Sequence, residues 1–254
     1  EICACLVGSE MCIRDRYYEY IKEHGYSRHL YEFKDEYANM PVDVQKDEEK
    51  GLYYVQKEKK RLYFRKSTPA KKIQKYYRAL SMEQDRRSPH HYFNSVKEAT
   101  GKVFVDVGCA EGYSSLEIIE EAKHVYLFEQ DEQWLEAIRA TFEPWQDKVT
   151  IVQKYVSDHN SSREQTLDDF FNNQTNEHLF LKMDIEGAER HALAGCNNLF
   201  QNCQKLDFAI CTYHLRDDEE VISAFLDKHN CTYINQKGFF RHKIRSVVMR
   251  GSKK

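Results

Sequence analysis

Two acids and a histidine carry the most chemistry for their spacing. In LFLKMDIEGAERHALAG, residues 179–195, an apolar run delivers Asp184 to its end, and Glu186 and Gly187 follow at once. Carboxylates so placed orient a hydroxyl, take its proton or hold a hard cation. A second apolar run, in DFAICTYHLRDD, ends on Tyr213 and His214. Histidine is the side chain whose ordinary pKa suits proton removal near neutrality, although a strand-end histidine bonding a backbone carbonyl looks the same in sequence. A third stretch, VFVDVGCAEGYSS at 103–115, runs five strand-type residues into a turn bounded by Gly108 and Gly112, with Asp106 near the end of the run. Glu129 follows in HVYLFEQ at the distance where nucleotide-binding βαβ units hold a carboxylate for the ribose hydroxyls. Asp158, ending VTIVQKYVSD, is placed either to meet an adenine amino group or simply to open a turn.

The glycine spacing is G-x-x-x-G, one glycine short of the dinucleotide fingerprint. It favours an adenosine ligand without a phosphate on the helix terminus and disfavours a nicotinamide-dependent oxidoreductase. Lys182 and His191 read either as supporting partners of the acids or as surface residues.

From Gly101 onward, strand-type and helix-type segments alternate, which predicts a parallel sheet covered on both faces. Helical apolar stripes fall at Leu116, Ile118, Ile119 and Ala122, at Trp134, Leu135, Ile138 and Phe142, and at Val221, Ile222, Phe225 and Leu226. The closing segments CTYINQK and IRSVVMR, joined by GFFRH, read as a hairpin whose last strand runs antiparallel to the sheet.

The chain has 254 residues and a net charge of −3. That length suits one α/β domain with an appendage. No run approaches the roughly 18 apolar residues of a membrane helix. Eight cysteines at scattered spacings read as reduced thiols of a cytoplasmic protein. Residues 1–16 share no pattern with the remainder and read as a non-native or disordered leader. Residues 17–88 read as a helical, tyrosine-rich appendage, loosely packed at its start, and residues 89–254 as the main domain. Between Lys50 and Arg87, thirteen Lys or Arg face three acids. Such a block is either a solvated face or a dock for a polyanion such as an anionic membrane surface. No nucleic-acid motif of fixed spacing accompanies it, which argues against sequence-specific binding.

Three spaced motifs, DVGCAEGYSS, FEQD and KMDIEGAE, together resemble the FkbM family of class I S-adenosylmethionine-dependent methyltransferases, over about Ser88 to Arg250. SPHHYF at 88–93 and TFEPW at 141–145 resemble elements of a subgroup, with Tyr92 either covering the cofactor or lying in the core. The resemblance implies a Rossmann-like α/β fold with a mostly parallel seven-stranded sheet. It implies S-adenosylmethionine held by Asp106, Val107, Gly108, Cys109, Glu111, Gly112, Glu129, Gln130 and Asp158. It also implies methyl transfer to a hydroxyl of a sugar, glycan or other small molecule. On that reading Asp184, Glu186 and His214 are catalytic, with His214 the base and Asp184 orienting it or the acceptor. A variant places Mg²⁺ on Asp184, Glu186 and His214. The competing class is a non-catalytic cofactor-binding protein docked to a polyanion by the basic block.

Overall fold

The structure is a computed structural model, and it describes residues 10–25, 30–172, 177–240 and 243–253. The appendage opens with helices α1 (Glu10–His24) and α2 (Lys34–Ala38). Strands β1 (Val44–Asp47), β2 (Leu52–Lys57) and β3 (Lys60–Tyr63) then form an antiparallel sheet, and helix α3 (Ala70–Glu83) follows. The appendage is thus not helical alone. Its β2–β3 turn is Glu58-Lys59, with Glu58 at φ 56° and no Gly or Asn to announce it. Nor is its start loose: Tyr17 and Tyr20 are buried with Leu30. Helix α1 begins inside the stretch read as a leader.

The main domain runs β4 (Val103–Val107), α4 (Tyr113–Ile118), β5 (His124–Phe128), α5 (Glu132–Phe142) and β6 (Val149–Val152). Next come the two-residue strands β7 (Tyr155–Val156) and β8 (Glu164–Gln165), helix α6 (Leu167–Phe170) and β9 (His178–Met183). Helices α7 (Glu189–Ala194) and α8 (Asn197–Asn202), β10 (Lys205–Cys211), α9 (Asp218–Lys228), β11 (Thr232–Phe240) and β12 (Lys243–Lys253) complete it. Seven strands form one sheet in the order β11-β12-β10-β9-β4-β5-β6. Strands β4, β5, β6, β9 and β10 pair in parallel, and β12 pairs antiparallel with both β10 and β11. The expected α/β fold with its antiparallel last strand is what forms. The closing hairpin is longer than read, because β11 extends through GFF.

Every residue of β4 is buried, as a central strand covered on both faces requires. Trp134, Leu135, Ile138 and Phe142 are buried on α5, whose first turn is capped by Asp131 accepting from Gln133 N at 3.0 Å. On α9, Ile222 and Leu226 are buried but Val221 is exposed. The chain leaves β4 for β5 on one side, while β9 pairs on the other, so the strand order reverses beside β4. Open α/β sheets place ligands beyond the strand ends at such a point.

One hydrophobic core joins the appendage to the main domain: Leu52, Leu62, Phe64 and Ile73 belong to the same cluster as Phe104, Leu116 and Phe142. Part of the basic block is turned inward. Lys57 pairs with Glu117 at 2.7 Å, and Lys60 donates to Leu116 O at 2.7 Å, at the carbonyl end of α4. Arg65 lies over the Trp134 ring at 4.0 Å. Lys59, Arg61, Lys66, Lys71, Lys72, Lys75, Arg86 and Arg87 stay exposed. No helix among the described residues is long and apolar enough to cross a membrane. Cys109, Cys196, Cys203, Cys211 and Cys231 are free thiols, all but the last buried.

Candidate active site

A cavity of about 1180 Å³ opens above the ends of β4, β5 and β9. It is larger than the roughly 300–1,000 Å³ that holds one drug-sized ligand. Asp106, Val107, Gly108, Cys109, Glu111, Glu129, Gln130, Asp158, Asp184, Glu186 and His214 all line it. Of the residues the resemblance assigns to the cofactor or to catalysis, Gly112 alone does not line it.

At the β4 end, a buried ion pair sets the turn. Asp106 and Lys182 are register partners on adjacent strands, and Lys182 Nζ lies 2.8 Å from Asp106 Oδ1. Lys182 also donates to Gly108 O at 2.7 Å, and Ser115 Oγ donates to Asp106 Oδ2 at 2.6 Å. Lys182 is therefore a buried structural cation and not a surface residue. Burial pulls its pKa down, but Asp106 and Asp184 outweigh that and hold it above the ordinary lysine value.

The glycines answer to the protein's own packing. Gly108 has φ 79°, and a Cβ there would come within 2.1 Å of Asp184 O. Gly112 has φ 81°, and its Cβ would meet Phe142 at 2.7 Å. The turn they permit brings Ala110 N to the Glu129 carboxylate at 3.0 Å, while Asp131 N reaches the other oxygen at 2.8 Å. A carboxylate has about four lone-pair sites, so Glu129 keeps acceptor capacity toward the cavity. Glu111 is buried and accepts from Tyr76 Oη of α3 at 2.8 Å; burial pushes its carboxyl up to about 6. Burial also raises the Cys109 thiol. Asp158 sits farther out, between His159 at 2.7 Å and His191 at 3.0 Å, and these hydrogen bonds lower its pKa to about 2. His191 is thus an exposed partner of Asp158, not of the acids on the loop after β9.

The other end of the cavity is built on His214. Its side chain is 7% exposed, and Nδ1 lies 2.9 Å from Glu189 Oε1. A carboxylate only accepts, so the Glu189 contact favours a proton on Nδ1, and Nε2 turns toward Asp184 Oδ1 at 3.5 Å and Glu186 Oε2 at 3.6 Å. Burial pulls the imidazole pKa down. The hydrogen bond and charge of Glu189, with the charges of Asp184 and Glu186, more than reverse this and leave it above the ordinary value. Tyr92 Oη donates to Asp184 Oδ2 at 2.7 Å. For Asp184, burial pushes the pKa up, but Lys182, His214 and Tyr92 hold it below the usual carboxylate value. Glu186, at φ 55°, stands exposed on the rim.

Sequence reading gave Glu189 no role. It is fully buried at the start of α7 and accepts from Ile185 N at 2.8 Å and Gly187 N at 3.0 Å, which fixes the loop that carries Asp184 and Glu186. Its one sequence signal is its position, a glutamate in the first turn of a helix, where an acid satisfies free backbone N–H groups. The contact with His214 joins two separate strand ends and has no local trace.

A family model described as the Methyltransferase FkbM domain matches residues 19–234, which takes in the appendage. No curated protein matches the chain. Among solved structures, the methyltransferase FkbM from Methylobacillus flagellatus KT is similar at a TM-score of 0.49 and 17% identity, covering 72% of this chain and 55% of its own. This chain therefore spans little more than half of that protein. Magnesium protoporphyrin IX methyltransferase from Synechocystis PCC 6803, with bound SAM, aligns at a TM-score of 0.46 and 12% identity over 74% of this chain and 86% of its own. A putative methyltransferase from Streptococcus mutans, in complex with SAH, aligns at 0.42 and 14% over 62% and 93%.

Proposed function

The chain belongs to the FkbM methyltransferase family, and from that premise we propose that it moves a methyl group from S-adenosylmethionine to a hydroxyl of a sugar, glycan or other small molecule. One observation carries the reading: a single cavity holds both the Gly108–Glu129 turn and a buried histidine whose Nε2 faces inward.

The residues present fit the cofactor. Glu129 offers acceptor sites for ribose hydroxyls and Asp158 one for an adenine amino group. The many carboxylates lining the cavity suit a ligand that carries sulfonium and ammonium charges. Val107, Gly108, Cys109, Glu111 and Gln130 would complete its surroundings. When bound, S-adenosylmethionine supplies an electrophilic methyl group.

The chain's own contribution is alignment and proton removal. Glu189 holds the His214 proton on Nδ1, which leaves the Nε2 lone pair to take the proton of an acceptor hydroxyl. Asp184, fixed by Tyr92, stands 3.5 Å from Nε2 and is placed to accept a hydrogen bond from that hydroxyl or to stabilise the imidazolium that forms. A positioned base contributes about 10²- to 10⁴-fold. The experiment is methyl transfer from labelled S-adenosylmethionine to a panel of glycans and nucleotide sugars, with S-adenosylhomocysteine binding measured beside it. Binding without transfer to any acceptor would favour the non-catalytic reading.

A second reading rests on the spacing around Nε2. Distances of 3.5 and 3.6 Å to two carboxylates are too long for good hydrogen bonds and leave room for a cation between them. Mg²⁺ on Asp184, Glu186 and His214 would gather acceptor oxygens. Among the described residues, however, the group whose ligand atoms lie close enough together for one ion is Asp184, Glu189 and His214, without Glu186, and the Glu189 oxygens already accept from Ile185 N and Gly187 N and face His214. Activity lost in chelator and restored by Mg²⁺ would select this reading.

A further inference from the structure

The fold sorts the basic residues of the appendage into two sets. No acid stands between Glu58 and Glu83, a stretch with nine Lys or Arg. Four of the nine are engaged by the protein itself. Lys60 donates to Leu116 O, Arg61 lies 3.5 Å from Asp47, Arg65 pairs with Asp131 at 3.3 Å, and Arg78 donates to Met40 O at 2.8 Å. The other five, Lys59, Lys66, Lys71, Lys72 and Lys75, are exposed, and none makes a hydrogen bond or ion pair among the described residues. Lys71 and Lys72 stand in the first turn of α3, where the helix dipole disfavours a cation, so they do not help the helix that carries them.

These lysines adjoin the mouth of the cavity. Lys72, Tyr76, Ala79 and Glu83 follow the i, i+4, i+7, i+11 spacing of one helical face, and the last three line the cavity. Lys72 continues that face outward past Tyr76, which is 37% exposed. From β7, Tyr155 lines the same cavity and is 55% exposed. The acids of the rim are engaged or stand apart. Asp131 holds Arg65, Asp158 holds His159 and His191, and Glu164 lies 2.8 Å from His159. Glu83 and Glu186 both act on Tyr213, at the other end of the mouth, and Glu83 is about 18 Å from Lys71 along α3. Glu132 and Glu136 are exposed on α5 but do not line the cavity.

Lysines supply point charge on flexible stems, without the fixed fork that recognition of one phosphate exploits. Exposed tyrosines settle at the depth of lipid headgroups. Together they fit a surface that offers many phosphodiesters at once. The chain as a whole carries a net charge of −3, so attraction to such a surface has to come from a local face. From these observations we infer that the Lys66–Lys75 face of the appendage docks the protein on an anionic phospholipid bilayer, with the cavity mouth and Tyr155 turned toward the headgroups. The inference stands on this face and not on the methyl-transfer reading, and it is read without turnover.

The test is co-sedimentation of the purified full chain with vesicles of phosphatidylcholine alone, or with about 30 mol% phosphatidylglycerol, in about 0.1 M salt. The anionic vesicles should bind at least about 100-fold more tightly, and most of that advantage should vanish at about 0.5 M salt. Equal binding to both vesicles would overturn the inference. The triple variant Lys71→Glu, Lys72→Glu, Lys75→Glu should lose at least about 50-fold in partition coefficient, with no fall in melting temperature. A matched reversal at Lys97, Lys205 and Lys228, exposed elsewhere on the protein, should lose no more than about fivefold. Equal loss in the two triples would make net charge the cause and remove the docking face. Short RNA added at the same phosphate concentration as the lipid should leave the protein on the vesicles; release by it would overturn the choice of a bilayer. Tyr155→Ser should weaken binding at least about threefold, and an unchanged affinity would contradict a mouth turned toward the headgroups.

Discussion

The two ends of the cavity are made of different materials. Beside β4 and β5 the chain uses backbone: a left-handed glycine turn, an amide held on Glu129, and a strand neighbour, Lys182, that locks the turn from beneath. Beside β9 and β10 it uses polar and charged side chains that hold one another, Glu189 on His214 and Tyr92 on Asp184. On the proposed reading the first end binds the cofactor and the second moves a proton, so binding and reactivity rest on separable groups that single substitutions should divide.

The largest effect should come from the group that spans both ends. Lys182→Met leaves Asp106 charged, buried and without its cation, which should cost about 3–5 kcal/mol of unfolding free energy in urea titration. A loss below about 1 kcal/mol would mean that the turn does not lean on this pair. Next, His214→Ala should lower kcat by at least about 100-fold, or about 2.7 kcal/mol, with S-adenosylhomocysteine affinity unchanged by calorimetry. Equal loss of turnover and of binding would erase the distinction between the ends.

Glu111 sharpens the comparison from the cofactor side. Burial raises its folded pKa to about 6, above its unfolded value, so the ionised form destabilises the fold at higher pH. Glu111→Gln should therefore gain roughly 2 kcal/mol in unfolding experiments at pH 8, with the gain fading as pH falls through 6 toward 4.5. A constant difference across that range would contradict a titrating Glu111. Glu189→Gln acts at the other end and should be the smallest in rate, roughly a tenfold drop in kcat. Its signature is in pH. The base works when neutral and His214 is raised above 6.5, so the rate of the unaltered protein should fall as pH drops through a value above 6.5. Removing the Glu189 charge should move that limb to lower pH, whereas a merely structural Glu189 would leave it in place.

Much of the first end was legible in the sequence because its determinants are local. Gly108, Gly112 and Glu129 stand at spacings set by one strand, one turn and the next strand, and the alternation of segments after Gly101 announced the sheet. The reason for the glycines was not legible. It lies in Asp184 O and Phe142, which only the fold brings near. At the second end, strand-end position revealed Asp184 and His214, yet the residue that orients His214 stayed hidden, because α7 and β10 meet only in three dimensions. Lys182 stayed undecided for a similar cause: a charged residue within an apolar run can be read as exposed until its partner on the neighbouring strand is known. In the appendage, lysine and tyrosine alternation concealed three strands whose outer faces are solvated and whose Tyr54 and Tyr63 are buried.

The most direct measurement is a crystal structure of the chain with S-adenosylhomocysteine. The expected result has the ribose hydroxyls on Glu129, the adenine toward Asp158, and the sulfur directed at open space before Asp184 and His214 Nε2. A ligand bound elsewhere, with Glu129 turned to solvent or with the sulfur facing away from His214, would contradict it.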